Sequence, residues 1–223
     1  RLGAGADRLR TIPYGVDSTQ FTPSLRPPGK PNVVVAWVGR INPLKDLHTL
    51  LRAAALVHEV RPDIRFRLHG SASADDELYY QDVLALRSEL GLERVVSMCG
   101  YTPNPQGAFN QADIVVLSSI SEALPFSVLE AMACAKPVVA TAVGGVPEQV
   151  EGCGIVVEPR NPRAMAEAIL CLATDADHCA TLGRNGRDKT EGQYSIGRSA
   201  DAHLESYSRL SRTLRLRQLI RGW

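Results

Sequence analysis

Short apolar runs alternate with longer amphipathic runs along most of this chain. The short runs are rich in β-branched residues and are apolar on both faces, which predicts buried strands. They are NVVVAWVG (32–39), IRFRLHG (64–70), RVVSMCG (94–100), DIVVLSS (113–119), PVVAT (137–141) and GIVVEP (154–159). Between them lie segments of helical period: 46–60, 77–91, 125–135 and 162–175, with shorter ones near 105–111 and 147–152. Strands of this kind separated by helices indicate an α/β fold, a Rossmann-like doubly wound parallel sheet of about six strands with helices on both faces.

The pattern divides the chain into three parts. Residues 1–30 carry TIPYGV, predicted as a strand, and a Pro-rich loop, and we expect this part to be an interdomain strand and linker. Residues 31–196 form the Rossmann-like domain, and residues 197–223 form a terminal helix with five arginines near its end. Such a helix either packs Leu210, Leu214 and Leu219 against the protein, the favoured interpretation, or lies on a membrane surface. In the complete protein we expect it to pack back toward a missing N-terminal domain.

The composition limits the kinds of molecule that the chain is expected to bind and the compartment in which it is expected to occur. In 223 residues, 25 Lys and Arg balance 24 Asp and Glu, so no overall field attracts nucleic acid. The five cysteines are an odd set without a C-x-x-C spacing, which predicts a reducing cytoplasm. No apolar run reaches the ~18 residues of a membrane span. The chain begins with Arg1, and we expect it to be part of a longer protein.

Two loops carry the candidate chemistry. In doubly wound sheets a ligand lies beyond the carboxyl ends of the strands where the strand order reverses, commonly between the first and fourth strands. The loops leaving those strands are GRINPLKD (39–46) and SISEALP (119–125). The first brings Arg40 and Lys45, and the second brings Glu122 and leads into a helix with Pro125 in its first turn and Glu130 one turn inside. We therefore expect these groups to meet at one edge of the sheet.

The combination of charges predicts the kind of ligand. Cations and a helix N-terminus suit a diphosphate, whereas carboxylates accept hydrogen bonds from sugar hydroxyls, and a nucleotide sugar offers both. The chain has neither G-x-G-x-x-G after its first strand nor a P-loop, which argues against NAD and nucleoside triphosphates. Its histidines lack metal-ligand spacing, and the D-x-D at Asp175 and Asp177 falls in a polar joint between two helices. No cofactor or metal is expected.

The segment SEALPFSVLEAMACAKPVVAT (121–141) resembles the E-x7-E donor-site signature of retaining glycosyltransferases with the glycosyltransferase B fold. The resemblance extends from Ile12 to Leu210 through the segments 11–23, 37–57, 144–169 and 193–210. The two loops are most similar to the subgroup that uses UDP-glucose in exopolysaccharide synthesis. The chain has Tyr14 where the family usually has Asn, Ile196 where Trp is frequent, and Ala123 where Gly is common.

The resemblance implies a role for each matching position. Arg40 and Lys45 would hold the donor pyrophosphate, Glu130 would accept from the ribose hydroxyls, and Glu122, the catalytic residue, would hold a hydroxyl of the transferred sugar. The backbone of residues 124–127 would cap phosphate or sugar, and Gly100 and Tyr101 would border the base. The full expected donor-binding set is Gly39, Arg40, Lys45, Gly70, Gly100, Tyr101, Leu124, Pro125, Phe126, Ser127 and Glu130.

The expected function is therefore the donor-binding half of a hexosyltransferase that uses a nucleotide sugar, with UDP as the expected nucleotide. A glycan or lipid-linked acceptor would bind the other, missing domain, so this chain alone should transfer nothing. Two alternatives stay open: a binding module without transfer activity, and a nucleotide-sugar epimerase of the same fold.

Overall fold

A six-stranded parallel sheet with helices on both faces forms the centre of the molecule. The computed structural model describes residues 9–24 and 32–221, with side chains described up to residue 211. The strand order is β3-β2-β1-β4-β5-β6, and every pairing is parallel, which confirms the predicted fold class. The strands are β1 (Val34–Val38), β2 (Arg65–His69), β3 (Val96–Gly100), β4 (Ile114–Leu117), β5 (Val138–Thr141) and β6 (Gly154–Val157).

Helices connect the strands and continue beyond the sheet. Their bounds are α1 (Leu47–Val60), α2 (Glu77–Glu89), α3 (Pro105–Asn110), α4 (Phe126–Ala133), α5 (Val146–Val150), α6 (Pro162–Thr174), α7 (Ala176–Gln193) and α8 (Ile196–Arg221). Short 3-10 turns at Pro43–Lys45 and Ala74–Asp76 precede α1 and α2. Each predicted strand run and each predicted helical segment within the sheet domain corresponds to one of these elements.

The sheet buries both faces, as its apolar strands predict. Val35 and Trp37 of β1 belong to one core cluster, which includes α1 and α6, while Ala36 between them belongs to the other, which includes α3 and α4. This division follows from the two-residue period of a strand, which directs successive side chains to opposite faces. The carboxyl ends of the strands are therefore anchored from both sides.

α7 packs against the end of α4 through glycine. A Cβ atom on Gly183 would lie 2.2 Å from the carbonyl oxygen of Ala135, so only glycine allows this approach. The sequence indicates a helix after Asp177 but not its length, because glycines and polar residues obscure the apolar period.

Asp175, the first residue of the D-x-D pair, caps α7 by accepting from the His178 N–H at 2.8 Å. The described residues contain no group of three or more His, Cys, Asp or Glu side chains arranged to hold a metal ion.

The prediction of a strand over TIPYGV was wrong. Val16 instead forms a single parallel bridge with Ser195, donating to the Tyr194 carbonyl at 2.8 Å and accepting from Ile196 N–H at 3.1 Å. A Cβ on Gly15 would lie 2.5 Å from Ile196 Cα, so the segment lies directly against the start of α8. The Pro-rich loop lies within residues 25–31. This segment and residues 1–8 are outside the described residues.

The favoured interpretation of the terminal helix was wrong for the leucine that is described. Leu210 is 58% exposed, so its side chain does not pack into the part of the protein that the structure describes. The side chains of Leu214 and Leu219 lie outside the described residues. None of the described helices combines the length and the apolar character that a membrane crossing requires.

Candidate functional site

The loops that follow β1 and β4 meet at the point where the strand order reverses. β1 pairs with β2 on one side and with β4 on the other, as the sequence predicts. Ile120 N–H donates to the Leu44 carbonyl at 2.8 Å, and Ser118 Oγ donates to the Lys45 carbonyl at 2.7 Å. These hydrogen bonds join the two loops into one layer above the carboxyl ends of the strands.

Lys45 and Glu122 form an ion pair across this junction. Lys45 Nζ lies 2.5 Å from Glu122 Oε1, and the side chains are 21% and 12% exposed. The same oxygen accepts from Ser119 Oγ at 2.7 Å. The other carboxylate oxygen, Oε2, has no hydrogen-bond partner among the described residues. Glu122 is thus held through one oxygen and keeps a free acceptor on the other.

A glycine turn supports the backbone of the Glu122 loop. Gly145 N–H donates to the Ala123 carbonyl at 2.9 Å. Gly144 has a φ of 53°, and a Cβ there would lie 1.9 Å from the Glu122 carbonyl oxygen. Both the left-handed conformation and the close approach require glycine. This glycine turn therefore fixes the position of the Glu122 loop over the sheet.

A cleft of about 510 Å³ opens beside this junction, over the ends of β1, β2 and β3. Of the residues predicted to bind a donor, those that line it are Gly39, Arg40, Gly70, Tyr101 and Glu130. The cleft is lined in addition by Val38, His69, Ser71, Ala72, Ser73, Thr102, Pro103 and Pro105. Lys45, Gly100, Glu122 and residues 124–127 do not line this cleft. The predicted set therefore divides between the cleft and the adjoining loops.

Glycine brings the strand ends within backbone contact at the base of the cleft. A Cβ on Gly70 would lie 1.9 Å from the Gly39 carbonyl oxygen, so this position tolerates no side chain. Gly39 N–H donates to the His69 carbonyl at 3.0 Å, and Gly70 N–H donates to the Gly100 carbonyl at 2.8 Å. The sequence leaves open whether Gly70 serves a turn or a close approach, and the structure shows a close approach.

Glu130 brings a carboxylate without a partner into the cleft. It lies on α4 and is half-buried, and no described side chain or backbone group donates to it or forms an ion pair with it. Burial alone raises the pKa of Glu130 to about 7. A partly buried carboxylate that lacks a donor is costly, and this cost is relieved when a ligand supplies hydrogen-bond donors.

The start of α4 differs slightly from its prediction. Pro125 precedes the helix as its N-cap residue rather than lying in its first turn, and no side chain caps the helix. The Pro125 carbonyl accepts from Gln149 Nε2 at 3.2 Å, which ties α4 to α5. Phe126 is exposed and stacks on Tyr14, with ring centroids 5.3 Å apart. Leu124 packs against the core and Ser127 is half-buried.

Sequence reasoning missed two polar residues of the site. Ser119 lies in the SISEALP loop, but serine is so common in loops that its contact with Glu122 leaves no signal in the sequence. His69 ends β2, where it pairs with Val38 of β1, so both side chains lie on the α3 and α4 face and both residues line the cleft. Burial, and secondarily the charge of Arg67, lower the pKa of His69. The alternation of Phe66 and Leu68 with polar residues along β2 was the signal available for His69.

Comparison with known proteins adds a family match. Residues 32–175 match the family model described as Glycosyl transferases group 1. One curated relative, the D-inositol 3-phosphate glycosyltransferase of Arthrobacter sp. (strain FB24), is 34% identical over 217 residues, which cover 92% of this chain and 51% of the relative. The chain spans about half the length of the curated relatives it matches.

Solved structures resemble the fold closely. Anabaena HepE in complex with UDP and glucose matches with a TM-score of 0.84 and 26% identity, covering 92% of this chain and 58% of that one. The C-terminal domain of a glycosyl transferase group 1 family protein, LpcC from Francisella tularensis, matches with a TM-score of 0.73 and 26% identity. This second match covers 82% of the present chain and 100% of that domain.

Proposed function

Because the chain belongs to the glycosyl transferases group 1 family, we propose that it is the part of a retaining hexosyltransferase that binds the nucleotide-sugar donor. The observation that carries this proposal is the carboxylate of Glu130, which lines the cleft without a partner among the described residues. A carboxylate is an acceptor of hydrogen bonds, and a ribose has adjacent hydroxyl donors. Glu130 would therefore bind the ribose of the donor nucleotide.

The proposed donor is a UDP-linked hexose. Arg40 lines the same cleft and would bind the diphosphate, together with Lys45 from the adjoining loop. The uncapped N-terminus of α4 supplies further N–H groups near Glu122 for phosphate or sugar. Tyr101, which is exposed at the rim, would border the base. The structural neighbour HepE is described in complex with UDP and glucose, which supports this choice of donor class.

Glu122 would bind the transferred sugar through its free Oε2 atom. Its loop adjoins the α4 N-terminus, and its Oε1 atom is already occupied by Lys45 and Ser119. A hydroxyl of the sugar would donate to Oε2, while the cations and α4 stabilise the charge that develops on the leaving diphosphate. In this arrangement one carboxylate binds the nucleotide and the other binds the sugar.

The acceptor, a glycan or lipid-linked sugar, would bind the remainder of the protein. Sugar transfer requires donor and acceptor to be held in near-attack geometry, which one wall of a cleft does not provide. We therefore assign donor binding to this chain and expect it to give no acceptor-dependent UDP release by itself.

Isothermal titration of the chain with UDP and UDP-glucose tests the proposal. Saturable binding that is weakened by Glu130→Ala supports it. Absence of detectable heat at millimolar UDP and UDP-glucose would refute it. Conversion of UDP-glucose to another UDP-hexose without an acceptor would instead assign the site to an epimerase.

A further inference from the structure

The buried hydroxyl of Ser119 donates a hydrogen bond to the carboxylate of Glu122. Its Oγ donates to Glu122 Oε1 at 2.7 Å, and its side chain is fully buried, with 0% exposure. The Ser119 carbonyl accepts from Thr141 Oγ1 at 2.6 Å, and Thr141 is also fully buried. β5 therefore fixes the backbone from which the Ser119 hydroxyl reaches Glu122.

The second contact of the same oxygen is of a different kind. Lys45 is a flexible cation with three N–H donors, and its side chain is 21% exposed. A diphosphate that enters the site competes with Glu122 for this cation. The hydroxyl of Ser119 is neutral and buried, and it has no other hydrogen-bond acceptor among the described residues. A phosphate therefore attracts Lys45 and leaves Ser119 in place.

We propose that Ser119 is a positioning residue for Glu122, which keeps Oε2 available to a hydroxyl of the transferred sugar while Lys45 engages the donor diphosphate. The inference rests on the proposed function, because it assumes that Glu122 binds the sugar. Ser119 itself touches no part of the donor. Its effect should be confined to the part of the affinity that the sugar contributes.

Comparing the affinities for UDP and UDP-glucose measures the part of the affinity that the sugar contributes. In Ser119→Ala, the affinity for UDP-glucose relative to UDP should fall about three- to tenfold from its wild-type ratio, because the anchored carboxylate loses a charge-assisted hydrogen bond. Titration calorimetry with both ligands measures the ratio. An unchanged ratio in a folded Ser119→Ala protein would overturn the proposal, as would an equal loss for both ligands.

A double-mutant cycle distinguishes positioning from a general packing effect. In a Glu122→Ala background, adding Ser119→Ala should leave the UDP-glucose to UDP ratio unchanged, because the residue through which Ser119 acts is absent. A further fall in that background would show that Ser119 acts on the donor by another route. Ser121→Ala is the matched control, since Ser121 is exposed in the same loop and its side chain makes no hydrogen bond with the described residues.

A second variant covers the event that Ser119→Ala unfolds. Ser119→Cys keeps the shape of the side chain with a somewhat larger atom but offers only a weak donor, so it should lower the ratio in the same direction. An unchanged ratio in Ser119→Cys would count against the proposal. A wild-type chain that binds neither UDP nor UDP-glucose would refute the proposed function itself, a result that is distinct from an unchanged ratio in a binding-competent variant.

Discussion

Lys45 Nζ and Glu122 Oε1 lie 2.5 Å apart, although the two residues are separated by 77 positions in the chain. The sequence assigns them to different parts of a donor, Lys45 to the diphosphate and Glu122 to the sugar. Their ion pair means that the two assignments are coupled in the protein without ligand. Whatever binds Lys45 competes with Glu122, and whatever neutralises Glu122 releases Lys45.

Glu122→Gln should therefore tighten the binding of UDP, by about three- to tenfold. The substitution keeps the size of the side chain but removes the negative charge that pairs with Lys45 and that repels the diphosphate. Uridine, which has no phosphate, should bind equally to both proteins. Titration calorimetry at low ionic strength measures both affinities, and a loss of UDP affinity would contradict the coupling.

The route of this gain can be checked with Lys45→Met. If Glu122 acts through Lys45, adding Glu122→Gln to a Lys45→Met protein should give little further change in UDP affinity. A gain of the same size in the Lys45→Met background would assign the effect to direct repulsion by Glu122. The ion pair would then have no part in donor binding.

Glu130→Ala should weaken UDP and uridine by the same factor, about ten- to a hundredfold, because the ribose is common to both ligands. A charge-assisted hydrogen bond to a half-buried carboxylate is the contact that is lost. Ligand-observed NMR can follow the weaker uridine complex and calorimetry the UDP complex. A loss of affinity for UDP alone would mean that Glu130 acts on the phosphates rather than on the ribose.

Glu130 should also make stability depend on pH. Burial raises the pKa of its carboxyl from 4.5 to about 7, so the folded state favours the neutral acid. The folded protein binds more protons than the unfolded chain between these values, and stability therefore falls as pH rises through this window. Above about pH 7 the charged Glu130 lowers the free energy of unfolding by its full amount, on the order of 3 kcal/mol at most.

Glu130→Gln removes this dependence, since the amide is neutral throughout. Relative to wild type, the variant should gain several degrees in Tm at pH 8 and nothing at pH 4, which differential scanning calorimetry can measure. Glu167→Gln on α6 is the matched control, because Glu167 is exposed. A Tm difference between Glu130→Gln and wild type that is constant from pH 4 to pH 8 would mean that burial does not perturb Glu130.

The sheet and the meeting of the two loops were predictable because they depend on backbone order. Short continuous apolar runs rich in β-branched residues, such as that of β4, favour central strands, and a reversal of strand order between β1 and β4 brings Lys45 and Glu122 to one edge. The TIPYGV segment was misjudged because it makes a single backbone bridge, between Val16 and Ser195 just before α8, rather than pairing with a strand of the sheet, and a local period does not reveal this tertiary contact.

The hydrogen-bond and ion-pair partners of the side chains in the site were not predictable from the sequence. The sequence locates Glu122 and Glu130 but does not distinguish the paired carboxylate from the unpaired one, because the difference depends on side-chain reach across loops. The role of Ser119 depends on the register between β4 and β5, which places Thr141 under its carbonyl. Contacts of this kind arise only after the strands are assembled.

Gly70→Ala should destabilise the fold by about 1–3 kcal/mol or more, because a Cβ would lie 1.9 Å from the Gly39 carbonyl oxygen and must displace backbone. Gly192→Ala on α7 is the matched control, since a Cβ there has no neighbour within 4 Å. It should be neutral or stabilising by up to about 1 kcal/mol. Urea unfolding of both variants measures the contrast, and equal stability of the two would show that the strand ends can separate.

Arg40 lines the same cleft as Glu130. Arg40 is exposed, and its guanidinium makes no hydrogen bond or ion pair with any described residue, so removing it leaves no partner unpaired. Arg40→Ala should lower the affinity for UDP about tenfold or more and leave uridine unchanged, because its proposed target is the diphosphate.

Salt provides an independent check on Arg40. Because the contact is between exposed charges, the difference between Arg40→Ala and wild type should shrink as ionic strength rises from 50 mM to 500 mM. Arg52→Ala on α1 is the matched control: it removes an exposed arginine away from the cleft and should change neither affinity. Equal weakening of UDP and uridine by Arg40→Ala, at every salt concentration, would place Arg40 against the nucleoside and would leave the diphosphate to Lys45 and the N-terminus of α4.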